Sequence, residues 1–142
     1  MTVNQLSIFL ENRSGTLTKV LDILKESNIQ IIASAIADTA EYGILRILCS
    51  DPRLAYRKLE EGNIAVALSD VFAIELDNLP GRAADTIKYF SDADLSIMYM
   101  YSFLFHGKGI LVFRTDNTDL AREIILRASL NSLTEIDLAQ WE

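Results

Sequence analysis

The sequence has little of what builds disulfides and metal sites. It contains one cysteine, Cys49, and one histidine, His106. A lone cysteine excludes an intrachain disulfide, and no second cysteine or histidine stands at metal-ligand spacing. Because Cys49 lies in an apolar run, we interpret it as a small buried hydrophobic residue. We interpret His106, which precedes Gly107, as an exposed turn residue, with a ligand contact or a pH-sensitive group as the alternative.

Long apolar segments and excess positive charge are also missing. No segment approaches the ~20 uninterrupted apolar residues of a membrane-spanning helix. The first residues lack the basic and then apolar pattern of a secretion signal, so we expect a cytoplasmic protein without a membrane partner. The 13 basic and 20 acidic side chains give a net charge of −7. This charge disfavours nucleic-acid binding and favours small ligands or protein partners.

Two short motifs near residue 108 resemble nucleotide or RNA sites only in part. Residues 107–109 (Gly-Lys-Gly) lack the longer glycine-rich loop between a strand and a helix that holds phosphate. Residues 108–113 are faintly similar to an RNA-binding sheet motif, but Ile110 stands where that motif needs an aromatic ring. We therefore expect no nucleic acid partner, and the sequence shows no recognisable nucleophile motif.

What the sequence does contain is one pattern written twice. Residues 12–15 (Asn-Arg-Ser-Gly) and 78–81 (Asn-Leu-Pro-Gly) each follow an alternating apolar segment and precede an amphipathic helix, and their glycines are 66 residues apart. Gly43 and Gly109 repeat this spacing ahead of two apolar strands. We therefore predict two tandem domains, a first copy over residues 1–69 and a second copy over residues 70–142.

Each copy predicts the element order βαββαβ. Strands are predicted over 3–10, 29–38, 44–49 and 64–68, and again over 71–77, 94–105, 109–115 and 134–138. Helices are predicted after residue 15 and from Asp51-Pro52, and again over 80–92 and 117–129. This order is that of a ferredoxin-like α+β fold, in which an antiparallel sheet carries both helices on one face.

The sheet face away from the helices is predicted to be apolar as well. Its predicted residues are Phe9, Ile32, Ile36, Leu45 and Ile47 in the first copy and Val71, Met98, Met100, Leu104, Leu111 and Phe113 in the second. Because apolar residues on both faces need a cover, we expect a homodimer or a larger assembly. Tyr99, Tyr101, Phe103 and Phe105 alternate along one strand, which indicates core packing, with a pocket or subunit contact as the alternative.

The two loops are the candidate binding sites. A strand that turns through glycine into a helix leaves backbone N–H groups at the helix start, where an anion is attracted. Pro80 fixes its own φ and keeps Leu79 extended. Plain strand-to-helix turns without a ligand are the alternative. The predicted carboxylate contacts are the N–H groups of Gly15, Thr16 and Leu17 or of Gly81, Arg82 and Ala83, with Asn12 and Asn78 closing the turns or binding the ligand.

The pattern of a strand, an Asn-x-Pro-Gly-x-Leu loop, an amphipathic helix and an Asn-Ile-like strand start resembles the ACT domain, a small regulatory module that binds amino acids in metabolic enzymes. The resemblance covers the whole chain as two ACT-like units, and Ser14 stands in the first loop where the second has Pro80. It implies an effector between two units, with the loop of one facing the second strand of its neighbour. Those strand segments are Ile31 to Ser34 and Ile97 to Tyr99, which include Met98.

The resemblance also implies a function. Chains made only of ACT units resemble stand-alone amino-acid sensors, so we expect a non-catalytic regulatory protein without a cofactor that binds a free amino acid and signals allosterically. A metabolic enzyme is the implied further partner. The ammonium of the ligand would meet carbonyl groups or side chains such as Ser34. If one loop alone binds, we predict residues 78–83. A structural or protein-interaction module without a ligand is the alternative, and an enzyme is the third hypothesis.

Overall fold

The computed structural model of the protein describes residues 2–11, 13–38, 42–77 and 79–142, apart from the side chains of Arg13 and Asp38. The strands are β1 (Val3–Leu10), β2 (Ile31–Asp38), β3 (Gly43–Cys49), β4 (Val66–Leu76), β5 (Ile97–Phe105) and β6 (Lys108–Thr115). The helices are α1 (Arg13–Glu26), α2 (Pro52–Glu61), α3 (Arg82–Asp92), α4 (Thr118–Arg127) and α5 (Glu135–Ala139). This order confirms the predicted ferredoxin-like α+β fold with antiparallel strand pairing.

The first compact unit comprises Asn4–Ser69 and Leu138–Glu142. Its strands lie in the order β2-β3-β1-β4, and β3 pairs antiparallel with both β1 and β2. α1 packs beside α2, and both contribute buried side chains to one core with the sheet. Because Leu6 and Ile8 alternate along β1, they place their side chains in this core together.

The second compact unit comprises Asp70–Asp137 with the amino-terminal residues up to Val3. Its strands lie in the order β4-β6-β5, again antiparallel, and α3 packs beside α4. Its core combines aliphatic residues with three phenylalanines, and the rings of Phe72 and Phe90 lie 5.5 Å and 4.8 Å from that of Phe113. Among the described residues, the same pattern therefore builds a core without phenylalanine in the first unit and one with a phenylalanine cluster in the second.

The predicted last strand over residues 134–138 is wrong. The structure has a single antiparallel bridge between Ile74 and Ser132, followed by α5. The N–H of Thr134 donates to Asp137 Oδ2 at 2.8 Å, and the N–H of Asp137 donates to Thr134 Oγ1 at 3.3 Å. This reciprocal capping satisfies the N–H groups at a helix start, so the Thr-Glu-Ile-Asp segment turns into a helix after one bridge.

The predicted break between strands 64–68 and 71–77 is also wrong. Both segments belong to one strand of 11 residues, β4. Ser69 is buried and Asp70 is exposed, which continues the alternation of an extended backbone. A polar pair that contains neither glycine nor proline does not have to end a strand.

The prediction of an open apolar sheet face is wrong for several of its residues, because their side chains point to the helix side of the sheet. Four of its residues are buried on the helix-covered face: Leu45, Ile47, Leu111 and Phe113. Directly opposite residues of antiparallel strands share a face, and the partners of these four on β1 and β4 are core residues. Phe9 does lie on the other face and is exposed. Met100 pairs with Phe113 and therefore shares the helix side, but it is exposed on the edge strand β5.

Candidate functional site

Most of the first predicted loop belongs to helix α1. α1 begins at Arg13, so Ser14 and Gly15 lie in its first turn, and Thr18 Oγ1 donates to the Ser14 carbonyl at 2.9 Å. Leu17 is the fifth residue of α1 and lies beyond the helix-start N–H groups that lack helical acceptors. Thr16 and Leu17 are also half-buried. Asn12 lies outside the described residues, and Ser14 and Gly15 of this loop belong to the helix itself.

The second predicted loop stays open for one turn longer. Leu79 aligns with Arg13 at the 66-residue spacing, but α3 begins only at Arg82, three residues later. The physical reason is Pro80, because a proline disfavours the helical conformation of the residue before it, whereas Ser14 places no such limit on Arg13. Gly81 then takes a left-handed backbone with φ of +86°.

The start of α3 leaves N–H groups for a ligand. The first helical bond runs from the N–H of Asp85 to the Gly81 carbonyl at 3.0 Å, so the N–H groups of Ala83 and Ala84 precede it. Within the described part of the chain, no side chain caps this helix. Asn78, predicted to close the turn or bind the ligand, lies outside the described residues.

A cavity of about 490 Å³ lies between this loop and strands β5 and β6, and we call it the β5 cavity. Its volume falls in the range of roughly 300–1,000 Å³ that is common for small-molecule sites. The loop side includes Gly81, Arg82 and Ala83, all predicted from the sequence. The strand side includes Met100, Ser102, Leu104 and Leu111.

Charged side chains stand at the loop side of the β5 cavity. The Arg82 guanidinium lies between two carboxylates, with Nε 3.6 Å from Asp77 Oδ2 and Nη1 3.4 Å from Asp85 Oδ2. All three side chains are exposed, and exposed ion pairs contribute little stability, so a ligand can compete for them. Asp77 and Arg82 both line the cavity, which therefore offers one group for each end of a zwitterion.

The predicted strand segments are not all brought to this cavity. Met98 lies at the register irregularity between Ile97 and Tyr99 and does not line the cavity, and Tyr99 points to the face opposite Met100. In the first copy, Ser34 is exposed on β2. Ile31 lines a different cavity of about 580 Å³ in the first unit, which also includes Trp141. The contributions of these strand residues to ligand binding stay predictions.

The sequence interpretation missed the strand side of the β5 cavity. Met100 and Leu104 were assigned to an open face that awaits a second chain. The sequence feature that indicates this arrangement is the hairpin turn at His106-Gly107. The turn pairs Leu104 with Gly109, and Gly109 also pairs with Leu76 at the end of β4. That register brings the middle of β5 beside the loop that follows β4.

Cys49 is buried and His106 is exposed. Burial raises the pKa of the Cys49 thiol to about 11, which keeps it protonated at neutral pH and fits its interpretation as a buried hydrophobic residue. His106 is exposed in the β5–β6 turn, with its ring 4.3 Å from that of Phe105. Among the described residues, no group of three or more histidine, cysteine or acidic side chains is placed to hold a metal ion.

Over the described ranges, no helix is both long and apolar enough to cross a bilayer.

Comparisons with known proteins agree with this architecture. A family model described as an ACT domain pair matches residues 1–141. Protein BT0572 from Bacteroides thetaiotaomicron is 39% identical, with a TM-score of 0.92 over 99% of this chain and 97% of that chain. The regulatory subunit of aspartate kinase from Thermus thermophilus shares the fold at 14% identity, with a TM-score of 0.60 over 88% of this chain and 91% of that chain. The search of curated proteins gives no match.

Proposed function

Because this chain belongs to the family of ACT domain pairs, we propose that it is a regulatory protein that binds a free amino acid and passes the signal to a protein partner. The two ACT domains of this proposal are residues 1–69 and 70–142. The observation that carries it is the β5 cavity, which combines a helix start that no described side chain caps, an arginine, an aspartate and an apolar wall. The proposed role involves binding alone, without catalysis or a cofactor.

The zwitterionic main chain of an amino acid matches the loop side of the cavity. Its carboxylate would accept hydrogen bonds from the N–H groups of Ala83 and Ala84, where the helix dipole adds attraction, and would lie near the Arg82 guanidinium. Its ammonium would lie near the Asp77 carboxylate. The position of the effector between two ACT units, which the family resemblance implies, stays a prediction.

Binding becomes a signal when the ligand has different affinities for two conformations of the protein. We propose an enzyme of amino-acid metabolism as the receiver, in line with the role of ACT domains as regulatory modules. The regulatory subunits of aspartate kinase that share this fold support a partner of that kind.

A thermal-shift screen with the twenty amino acids at millimolar concentration tests the proposal. At a ligand concentration about 100 times Kd, binding to the folded state adds roughly 2.7 kcal/mol, which corresponds to a rise in Tm of about 5 °C or more. We expect this rise for at least one amino acid. Gly81→Val should abolish it, because a β-branched residue is strained at this φ and its side chain would stand at the cavity.

The matched control is Gly107→Val. Gly107 has a similar left-handed φ of +78°, and at both glycines an added Cβ would meet nothing within 4 Å, but Gly107 does not line the β5 cavity. The control should lose stability while keeping the ligand-induced rise. A folded protein that responds to none of the twenty amino acids would contradict the proposal, and a partner captured in parallel would favour an interaction module without a ligand.

A further inference from the structure

We infer that the β5 cavity selects an amino acid with an apolar side chain. This inference rests on the proposed function and adds the class of ligand to it. The strand side of the cavity is apolar and open: Met100 and Leu104 are 48% and 71% exposed, and Leu79, on the loop side, is 58% exposed. Large apolar side chains that are exposed together mark binding surfaces, because water contact with them is unfavourable.

The charged groups of the cavity are concentrated at its loop side. Of the described lining residues, Asp77 and Arg82 are the ones with charged side chains, and Ser102 is the remaining one with a polar side chain. The main-chain carboxylate and ammonium of an amino acid would engage the two charges. The side chain of the ligand is then left against Met100, Leu104 and the buried Leu111.

A charged ligand side chain would be poorly placed there. It would lose water on the apolar wall without gaining an ion-pair partner, and desolvating an unpaired charge is costly. An apolar side chain would gain instead, because it covers Met100 and Leu104 and removes their surface from water. The cavity therefore disfavours amino acids with charged side chains, because the described residues of its wall offer no ion-pair partner.

The first copy does not repeat this wall. At the 66-residue spacing, Ser34 stands in the place of Met100, and it pairs with Ile47 as Met100 pairs with Phe113. The chain thus carries a polar alternative at the equivalent strand position. Met100→Ser consequently removes the apolar contact with a residue that the same fold already accepts at this site.

Isothermal titration calorimetry of the full chain tests the inference. The titrants are leucine, methionine and phenylalanine, against lysine, aspartate and serine. We expect at least one of the apolar amino acids to bind about tenfold or more tightly than each of the other three. Met100→Ser should weaken that binding about tenfold, whereas the Tm of the unliganded protein should change little because Met100 is exposed.

The matched control is Met98→Ser. Met98 lies two residues away on β5, is 57% exposed and does not line the cavity, so its loss should leave affinity unchanged. Binding of a charged or polar amino acid alone would overturn the apolar class while preserving the proposed function. No binding by any of the six titrants, together with no response to any of the twenty amino acids in the thermal-shift screen, would overturn both. Equal losses in Met98→Ser and Met100→Ser would overturn the assignment of the β5 cavity.

Discussion

At the scale of residues, one pair of equivalent positions is in contact in both copies, but the two copies use different types of side chain there. The rings of Phe9 and Tyr42 lie 5.2 Å apart, and at the 66-residue spacing the same positions hold Glu75 and Lys108. There the ammonium Nζ lies 2.8 Å from the carboxylate Oε1, and this hydrogen bond raises the pKa of Lys108. The repeated backbone brings these positions together, so either an aromatic pair or an ion pair can form there.

Helix caps show the same equivalence. Asp51 Oδ1 accepts the N–H of Leu54 at 3.2 Å, and at the 66-residue spacing Asn117 Oδ1 accepts the N–H of Leu120 at 3.1 Å. We predict that Asp51→Ala lowers the free energy of unfolding by about 1 kcal/mol, because an N–H at the start of α2 loses its acceptor. Urea unfolding measures the change.

Asp51→Asn is the control for the cap, because it introduces the residue that α4 already uses at the equivalent position. It should retain nearly all the stability. If Asp51→Asn destabilised the protein as much as Asp51→Ala does, the hydrogen-bonded cap would not be the source of the stability.

At the scale of elements, one proline decides where a helix begins. α1 starts directly at Arg13, whereas Pro80 delays α3 to Arg82 and leaves the loop of the β5 cavity in front of it. The open loop is therefore a local consequence of the chain. The cavity that the loop borders also needs β5 and β6.

We predict that Pro80→Ser lets α3 begin about one turn earlier. The N–H groups of Ala83 and Ala84 would then bond to the carbonyls of residues 79 and 80, as in an ordinary helix. Their amide hydrogen exchange should slow about tenfold or more, and the ligand-induced rise in Tm should fall, because these N–H groups no longer face the ligand. Exchange followed by NMR measures the first effect.

Pro52→Ser supplies the control for the helix start, since Pro52 is the other proline of the chain and opens α2 next to the Asp51 cap. It should leave the exchange of Ala83 and Ala84 unchanged. Unaltered exchange at these two residues in Pro80→Ser would show that other contacts delay the start of α3.

At the scale of the whole molecule, exposed apolar residues support association. Phe9 lies on the sheet face away from the helices, and Met98, which does not line the β5 cavity, is exposed on the edge strand β5. Such surface is unfavourable in water when left open. We propose that the chain forms a homodimer or a larger assembly, as the sequence pattern predicts.

Light scattering at micromolar protein concentration tests the proposed oligomeric state. A homodimer should give about twice the chain mass of 15.9 kDa. Phe9→Lys should shift the protein toward the monomer, because it places a charge on the sheet face that a second chain would cover. Leu126→Lys, at an exposed position on α4, is the control and should not change the mass. A wild-type protein that is strictly monomeric would contradict the proposal.

Much of the fold of this protein can be predicted from its sequence alone, because most of the signals that decide it are local. The 66-residue spacing, the alternation of Leu6 and Ile8, and the Asp51-Pro52 helix start predicted the α+β fold and most of the element order, apart from the last strand and the break within β4. The contrast between Ser14 and Pro80 also favours the second loop as the binding site. The alternation, the helix start and the proline each act within a few residues, through backbone conformation or a single hydrogen bond, and the 66-residue spacing shows that the same local pattern occurs twice.

Only the tertiary structure decided which apolar residues are core and which line the cavity. An alternating strand has two possible phases, and the partners of Leu45 and Phe113 across the sheet, on β1 and β4, select the one that faces the helices. The β5 cavity joins a loop after β4 to side chains from β5 and β6, about twenty to thirty residues further along the chain. Strand register brings these segments together, and register depends on packing between distant parts of the chain as well as on local sequence.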